Sequence, residues 1–129
     1  MAIPSRVVVF EDDFLLAETL SDALTALGCA VVHCCHSLRE AMLVVEKADF
    51  DLAVVDLDLR GLDASPILDR LVAGNIPALL STGANEKDVP ERFTQLPRLT
   101  KPYDQKQLKK AIEQTQISWP GSLRVARVP

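Results

Sequence analysis

The chain predicts an α/β fold, a doubly wound five-stranded parallel sheet in the order 2-1-3-4-5 with helices on both faces. Three observations carry this. Short β-branched runs alternate with helix-period stretches along nearly the whole chain. The 129 residues suit one domain with a real core. The apolar runs also end in polar residues of complementary kinds, as expected where parallel strands share one carboxyl edge.

Each element follows from local chemistry. Arg6 to Phe10 is a β-branched strand. Leu16, Leu20, Ala23, Leu24 and Leu27 recur at helical spacing, and Gly28 stands where a C-terminal cap belongs. Cys29 to Cys34 is a short second strand. Ser37 and Glu40 form a capping box for a helix carried inward by Leu38, Ala41, Met42, Val45 and Ala48. Asp51 to Val55 is strand three, and Gly61-Leu62-Asp63 is a loop. Ser65-Pro66 opens helix three, with serine at the cap and proline in the first turn. Its stripe is Ile67, Leu68, Leu71 and Val72, and Gly74-Asn75 stops it. Ile76 to Ser81 is strand four. From Asn85 to Gln95 only Val89 and Phe93 are large and apolar, and Pro90 interrupts, so helix four is expected to be short or irregular. Arg98 to Thr100 is strand five. Asp104 and Gln107 cap a last helix that turns Leu108, Ala111 and Ile112 inward. The periodicity dissolves at Ile117, which divides a domain over 1–116 from a tail over 117–129.

Composition excludes several classes. With 48% hydrophobic and 25% charged residues the chain is an ordinary globular protein. Its net charge of −4 and pI near 5.1 argue against nucleic-acid binding. No apolar run approaches the roughly 18 residues of a membrane span, and the N-terminus lacks a signal-peptide pattern. A cytoplasmic address is therefore expected. Three cysteines, Cys29, Cys34 and Cys35, make no disulfide framework. His33-Cys34-Cys35-His36 offers four metal ligands in a row. On a strand, however, alternate side chains face opposite ways and cannot close one tetrahedron.

Four strand ends would converge. Glu11-Asp12-Asp13 follows the first strand, Asp56 the third, Ser81-Thr82-Gly83 the fourth and Lys101-Pro102 the fifth. A carboxylate after a buried strand is costly unless paired or metal-bound. Carboxylates, a hydroxyl and an ammonium together suit a divalent cation and a phosphoryl group. A carboxylate can act as nucleophile and form an acyl phosphate. Mg²⁺ takes a few carboxylate oxygens while keeping several waters.

These segments resemble those of the receiver domains of bacterial two-component response regulators. The matching stretches are Val8-Val9-Phe10-Glu11-Asp12-Asp13, Asp51 through Asp58, Leu80-Ser81-Thr82-Gly83 and Lys101-Pro102-Tyr103. They occur in the family's order, and the resemblance spans about residues 5 to 116. It implies a flavodoxin-like receiver fold. It also implies that Asp56 accepts a phosphoryl group from a histidine kinase or histidine phosphotransfer protein. Asp12 would be the direct ligand of Mg²⁺ (or Mn²⁺), with Glu11 acting largely through water and Asp56 and the main-chain carbonyl of Asp58 as further ligands. Thr82 would turn its hydroxyl toward the phosphoryl group, Lys101 would hold a phosphoryl oxygen, and the bond to Pro102 would be cis. Such a domain assists its own phosphorylation but is not a multiple-turnover enzyme.

The chain departs from the family in three places. Arg98 stands where an aromatic switch residue is common. The interval from Thr82 to Lys101 is about one helical turn shorter than in many relatives. Asp13 is an additional acid, expected to cap the first helix.

The tail is too short for an output domain, so a single-domain regulator is expected. It would work by phosphorylation-dependent binding of a downstream protein or by onward phosphotransfer. Trp119, Leu123, Val125 and Val128 are apolar enough to dock on the domain or on a second copy, giving a homodimer. Two other readings use the same residues. Asp56-Leu57-Asp58 resembles the Asp-x-Asp of haloacid-dehalogenase phosphatases, but that family carries the motif on its first strand with its other acids downstream. An interaction module that is never phosphorylated would not need the whole set.

Overall fold

The computed structural model of the chain describes residues 4–47, 49–59, 62–83 and 89–118. The element order is β1 (Arg6–Phe10), α1 (Phe14–Ala26), β2 (Ala30–Cys35), α2 (Leu38–Lys47), β3 (Leu52–Asp56), β4 (Asp58–Leu59), β5 (Leu62–Asp63), α3 (Ser65–Ala73), β6 (Ala78–Thr82), a 3₁₀ turn at Glu91–Phe93, β7 (Arg98–Thr100) and α4 (Gln105–Ser118). Five strands form one parallel sheet in the order β2-β1-β3-β6-β7. Counting only strands of that sheet, this is the expected 2-1-3-4-5.

Alternation along the strands divides the core. Val8, Phe10, Val55 and Leu80 pack against Ala41 and Val45 of α2 and Ile67, Leu68 and Leu71 of α3. Val7, Val9, Val54, Leu79 and Leu99 pack against Ala17, Leu20 and Leu24 of α1 and Leu108 and Ile112 of α4. A strand buried on both faces must be apolar throughout, and every residue from Val7 to Phe10 is fully buried.

Helix ends follow the expected caps at α1 and α4 and depart from them at α2 and α3. Asp13 Oδ1 accepts the Leu16 N–H at 3.0 Å, so this acid caps α1. Asp104 and Gln107 exchange hydrogen bonds, each side chain accepting the other's backbone N–H at 2.8 Å. Ser37 Oγ accepts the Glu40 N–H, while Glu40 holds the Ser37 hydroxyl rather than its backbone. Ser65, expected as a cap, is instead the first residue of α3, and Ala64 precedes it without a side-chain cap bond. Asp63 Oδ1 takes both the N–H and the O–H of Ser65, at 2.9 and 2.7 Å. Gly28 closes α1 at φ +97° as anticipated, and Gly74 caps α3 with Asn75 after it in the left-handed region at φ +61°.

Further differences have physical causes. Leu16 and Val72 were placed on inward stripes, yet they are 44% and 47% exposed. The stripe of α1 is turned one residue, onto Ala17, so that Leu20 and Leu24 share its face. Leu62-Asp63, read as loop, pairs antiparallel with Asp58-Leu59 in a two-residue ladder too short to leave a periodic signal. Of the region expected as helix four, the described residues 89–95 hold a 3₁₀ turn after Pro90, anchored by buried Val89 and Phe93. Residues 84–88 lie outside the described part, as do Ala48, Gly61 and the tail from Trp119. The last helix runs to Ser118, two residues beyond the expected limit.

No helix among the described residues is long and apolar enough to cross a membrane. All three cysteines are reduced. Cys34 and Cys35 pack into opposite core clusters, as alternation requires.

Candidate functional site

The carboxyl ends of β1, β3 and β7 place three of the singled-out side chains in contact. Glu11 follows β1 and is almost wholly buried. Its backbone N–H continues the ladder to the Cys35 carbonyl at 2.9 Å, and its Oε2 accepts the Asp13 N–H at 3.2 Å. Asp56 ends β3, also buried. The Lys101 ammonium donates to Glu11 Oε1 at 2.9 Å and to Asp56 Oδ2 at 3.2 Å. Lys101 is itself held by its backbone N–H, which donates to the Thr82 carbonyl at 2.8 Å. The Lys101–Pro102 peptide is cis.

Asp12 completes an acidic cluster. Carboxylate oxygens of Glu11, Asp12 and Asp56 all lie within 4.8 Å of one another. Among the described residues this is the one group of three or more such side chains placed to hold a metal ion, and His33-Cys34-Cys35-His36 does not form another. His33 faces Asp49 at 3.7 Å, whereas His36 Nδ1 lies 3.0 Å from the Glu11 carbonyl and its ring stacks on Phe14.

The electrostatics are those of negative charge held together at a cost. Burial, then a hydrogen bond with Asp56, push the Glu11 carboxyl up to about 7 against the pull of Lys101. Burial draws the Lys101 ammonium down, but Glu11 and Asp56 together outweigh it and hold it above its ordinary value. A divalent cation fits this donor set, which is all oxygen and too negative to be neutralised by one ammonium.

The Thr82 side chain makes no hydrogen bond to the others. It lies one residue past the Asp56–Ser81 pair, on the opposite face of the sheet, and its buried hydroxyl has no hydrogen-bond partner. Asp58 lies two residues beyond Asp56, in β4. Arg98 donates to the Thr94 carbonyl at 3.1 Å, tying the end of β7 to the turn before it.

Sequence reading passed over two features. A cavity of about 550 Å³ opens beside the acids between α1 and α4, lined among others by Leu16, Leu20, Lys101, Tyr103 and Leu108. Exposed Phe14 and Leu15 lie at the start of the same helix. The unbroken run Phe14-Leu15-Leu16 was the available signal, since one helix face cannot bury three consecutive residues. The second is Ser81, buried with an unpartnered hydroxyl. Only the strand register reveals that it lies opposite Asp56.

The model of the response regulator receiver domain matches residues 7–113. Among solved structures, that of SdrG from Sphingomonas melonis Fr1 is 30% identical, covers 91% of this chain and 100% of its own, and superposes with a TM-score of 0.82. The BeF3-activated conformation of SdrG from Pseudomonas melonis Fr1 is 32% identical over 88% and 97% of the two chains, with a TM-score of 0.74. The signal receiver domain of a modulated diguanylate cyclase from Desulfovibrio desulfuricans G20 is 30% identical over 88% and 94%, with a TM-score of 0.76. No curated protein matches the chain.

Proposed function

Since this chain belongs to the response regulator receiver domain family, we propose that Asp56 accepts a phosphoryl group from a phosphohistidine donor in a Mg²⁺-dependent step. One observation carries the reading: Asp56, two further carboxylates and the Lys101 ammonium meet at a single strand edge. A carboxylate oxygen of Asp56 attacks phosphorus in line with the donor's P–N bond. That bond breaks, its electron pair stays on the imidazole, and the imidazole takes up a proton. Glu11, Asp12 and Asp56, with the Asp58 carbonyl, would hold the Mg²⁺ or Mn²⁺. When bound, the cation neutralises phosphoryl oxygens so that two anions can approach. Lys101 leaves the Asp56 carboxylate for a phosphoryl oxygen, and the Thr82 hydroxyl donates to another. The unpartnered state of Thr82 Oγ1 supports that assignment, because a buried hydroxyl without a bond gains one there.

The donor would be a histidine kinase or a histidine phosphotransfer protein. Phe14 and Leu15 are exposed by 63% and 72% beside the acids, an apolar footing on which the donor packs. The phosphorylated domain then binds a downstream protein or passes the group onward. Like receiver domains generally, it is a signalling module rather than a turnover enzyme.

The test is stoichiometry with a small phosphodonor and Mg²⁺. About one equivalent of phosphoryl group retained per chain, and none for Asp56→Asn, is expected. Continuous release of phosphate at a rate far above the decay of the labelled protein would instead indicate a phosphatase of the Asp-x-Asp kind.

A further inference from the structure

Ser81 occupies a place that none of these roles uses. In the pairing of β3 with β6 it lies opposite Asp56, and in that of β6 with β7 opposite Leu99. Residues opposite each other in a parallel pair share a face. Ser81 and Asp56 therefore both stand on the face covered by α1 and α4. Lys101, two residues beyond Leu99, reaches Asp56 from the far side of β6. Its side chain has to pass over that strand. Gly83, which follows β6 two residues after Ser81, has no side chain to intervene. Ser81 is the polar group under the crossing.

Its hydroxyl is unexplained by the resting fold. Ser81 is 2% exposed, and its Oγ has no hydrogen-bond partner. A buried hydroxyl in that state is unfavourable, and a methyl group in its place would not be. The Lys101 ammonium has three protons to donate, two of which go to Glu11 and Asp56. Once Asp56 carries a phosphoryl group, that carboxylate loses its full charge and the ammonium is drawn to a new oxygen.

We propose that Ser81 is a positioning residue for Lys101, its hydroxyl accepting a hydrogen bond from the ammonium as Lys101 shifts from the Asp56 carboxylate to the phosphoryl group. The proposal rests on Asp56 being the acceptor. It gives this chain a second buried hydroxyl in the response, on the opposite face from Thr82 and acting through the lysine rather than on the phosphoryl group.

The full-length chain provides the test, as Ser81→Ala, Ser81→Thr and wild type. Ser81→Ala should melt no lower than wild type, because it loses only an unpartnered group. Its phosphoryl uptake from a small donor should nevertheless slow by about tenfold or more, the effect of one hydrogen bond to a charged group. Ser81→Thr keeps the hydroxyl and should restore most of the rate. In wild-type protein with Mg²⁺ and beryllofluoride, the ε-methylene protons of Lys101 should gain nuclear Overhauser contacts to the β-protons of Ser81. Uptake by Ser81→Ala within twofold of wild type overturns the proposal, and so does the absence of those contacts, however the variants fold. With wild type labelled at Asp56, either result removes only the role of Ser81. Failure of wild type to take up the group, or full labelling of Asp56→Asn, removes the acceptor and this proposal together.

Discussion

Lys101 Nζ lies 2.9 Å from Glu11 Oε1, across a sheet in which β6 and β3 separate the strands that the two residues follow. The same ammonium holds Asp56 at 3.2 Å. One cation thus ties three strand ends, and its charge compensates for two carboxylates that the sheet forces together.

Lys101→Ala is expected to fold, because the lysine follows β7 at the strand edge, is a quarter exposed and lies outside both core clusters. It leaves Glu11 and Asp56 facing each other without that ammonium. A loss of about 1–3 kcal/mol at neutral pH is expected, measured by denaturant unfolding without metal. Mg²⁺ should recover much of the loss, and a loss that Mg²⁺ leaves unchanged would show that the lysine acts elsewhere.

The pH dependence follows from Glu11. Burial, then Asp56, push its carboxyl up to about 7 in the folded chain against 4.5 for a free side chain. The folded state therefore binds the proton more tightly than the unfolded one. The resulting stability is complete below 4.5 and is lost as pH rises through 7. Without metal, the melting temperature of wild type relative to Glu11→Gln should fall between about pH 5 and about pH 8. A difference that stays constant or grows over that range would contradict the assignment.

The reciprocal cap of α4 gives a prediction independent of the acids. Asp104→Ala removes the acceptor of the Gln107 N–H. A loss of about 1 kcal/mol is expected, with phosphoryl uptake unchanged. Chemical denaturation and the small-donor assay measure the two effects separately.

Two leucines of α1 separate core from surface. Leu24 is fully buried, and its change to alanine should cost about 2–5 kcal/mol. Leu16 is 44% exposed, and the same change should cost under about 0.5 kcal/mol. Equal costs at the two positions would place Leu16 in the core after all.

The sheet was legible because β1, β3 and β6 are buried on both faces and read as unbroken apolar runs between polar ends. The convergence of Glu11, Asp12, Asp56 and Lys101 was legible for the same reason, since topology alone carries those ends to one edge. What stayed hidden depends on rotation and register, which composition does not record. Leu16 and Ala17 are equally acceptable to a helical stripe until the tilt of α1 is known. Ser81 and Thr82 are adjacent hydroxyls whose faces only the pairing with β3 assigns. The β4–β5 ladder is two residues long, below the span over which alternation can be recognised.

The most direct measurement is the position of the label after exposure to a small phosphodonor with Mg²⁺. Reduction of the acyl phosphate with borohydride, followed by peptide mass spectrometry, should convert Asp56 alone to homoserine, and chelation of the metal should abolish the signal. Undiminished labelling with the metal removed, or a label at any residue other than Asp56, would contradict the account.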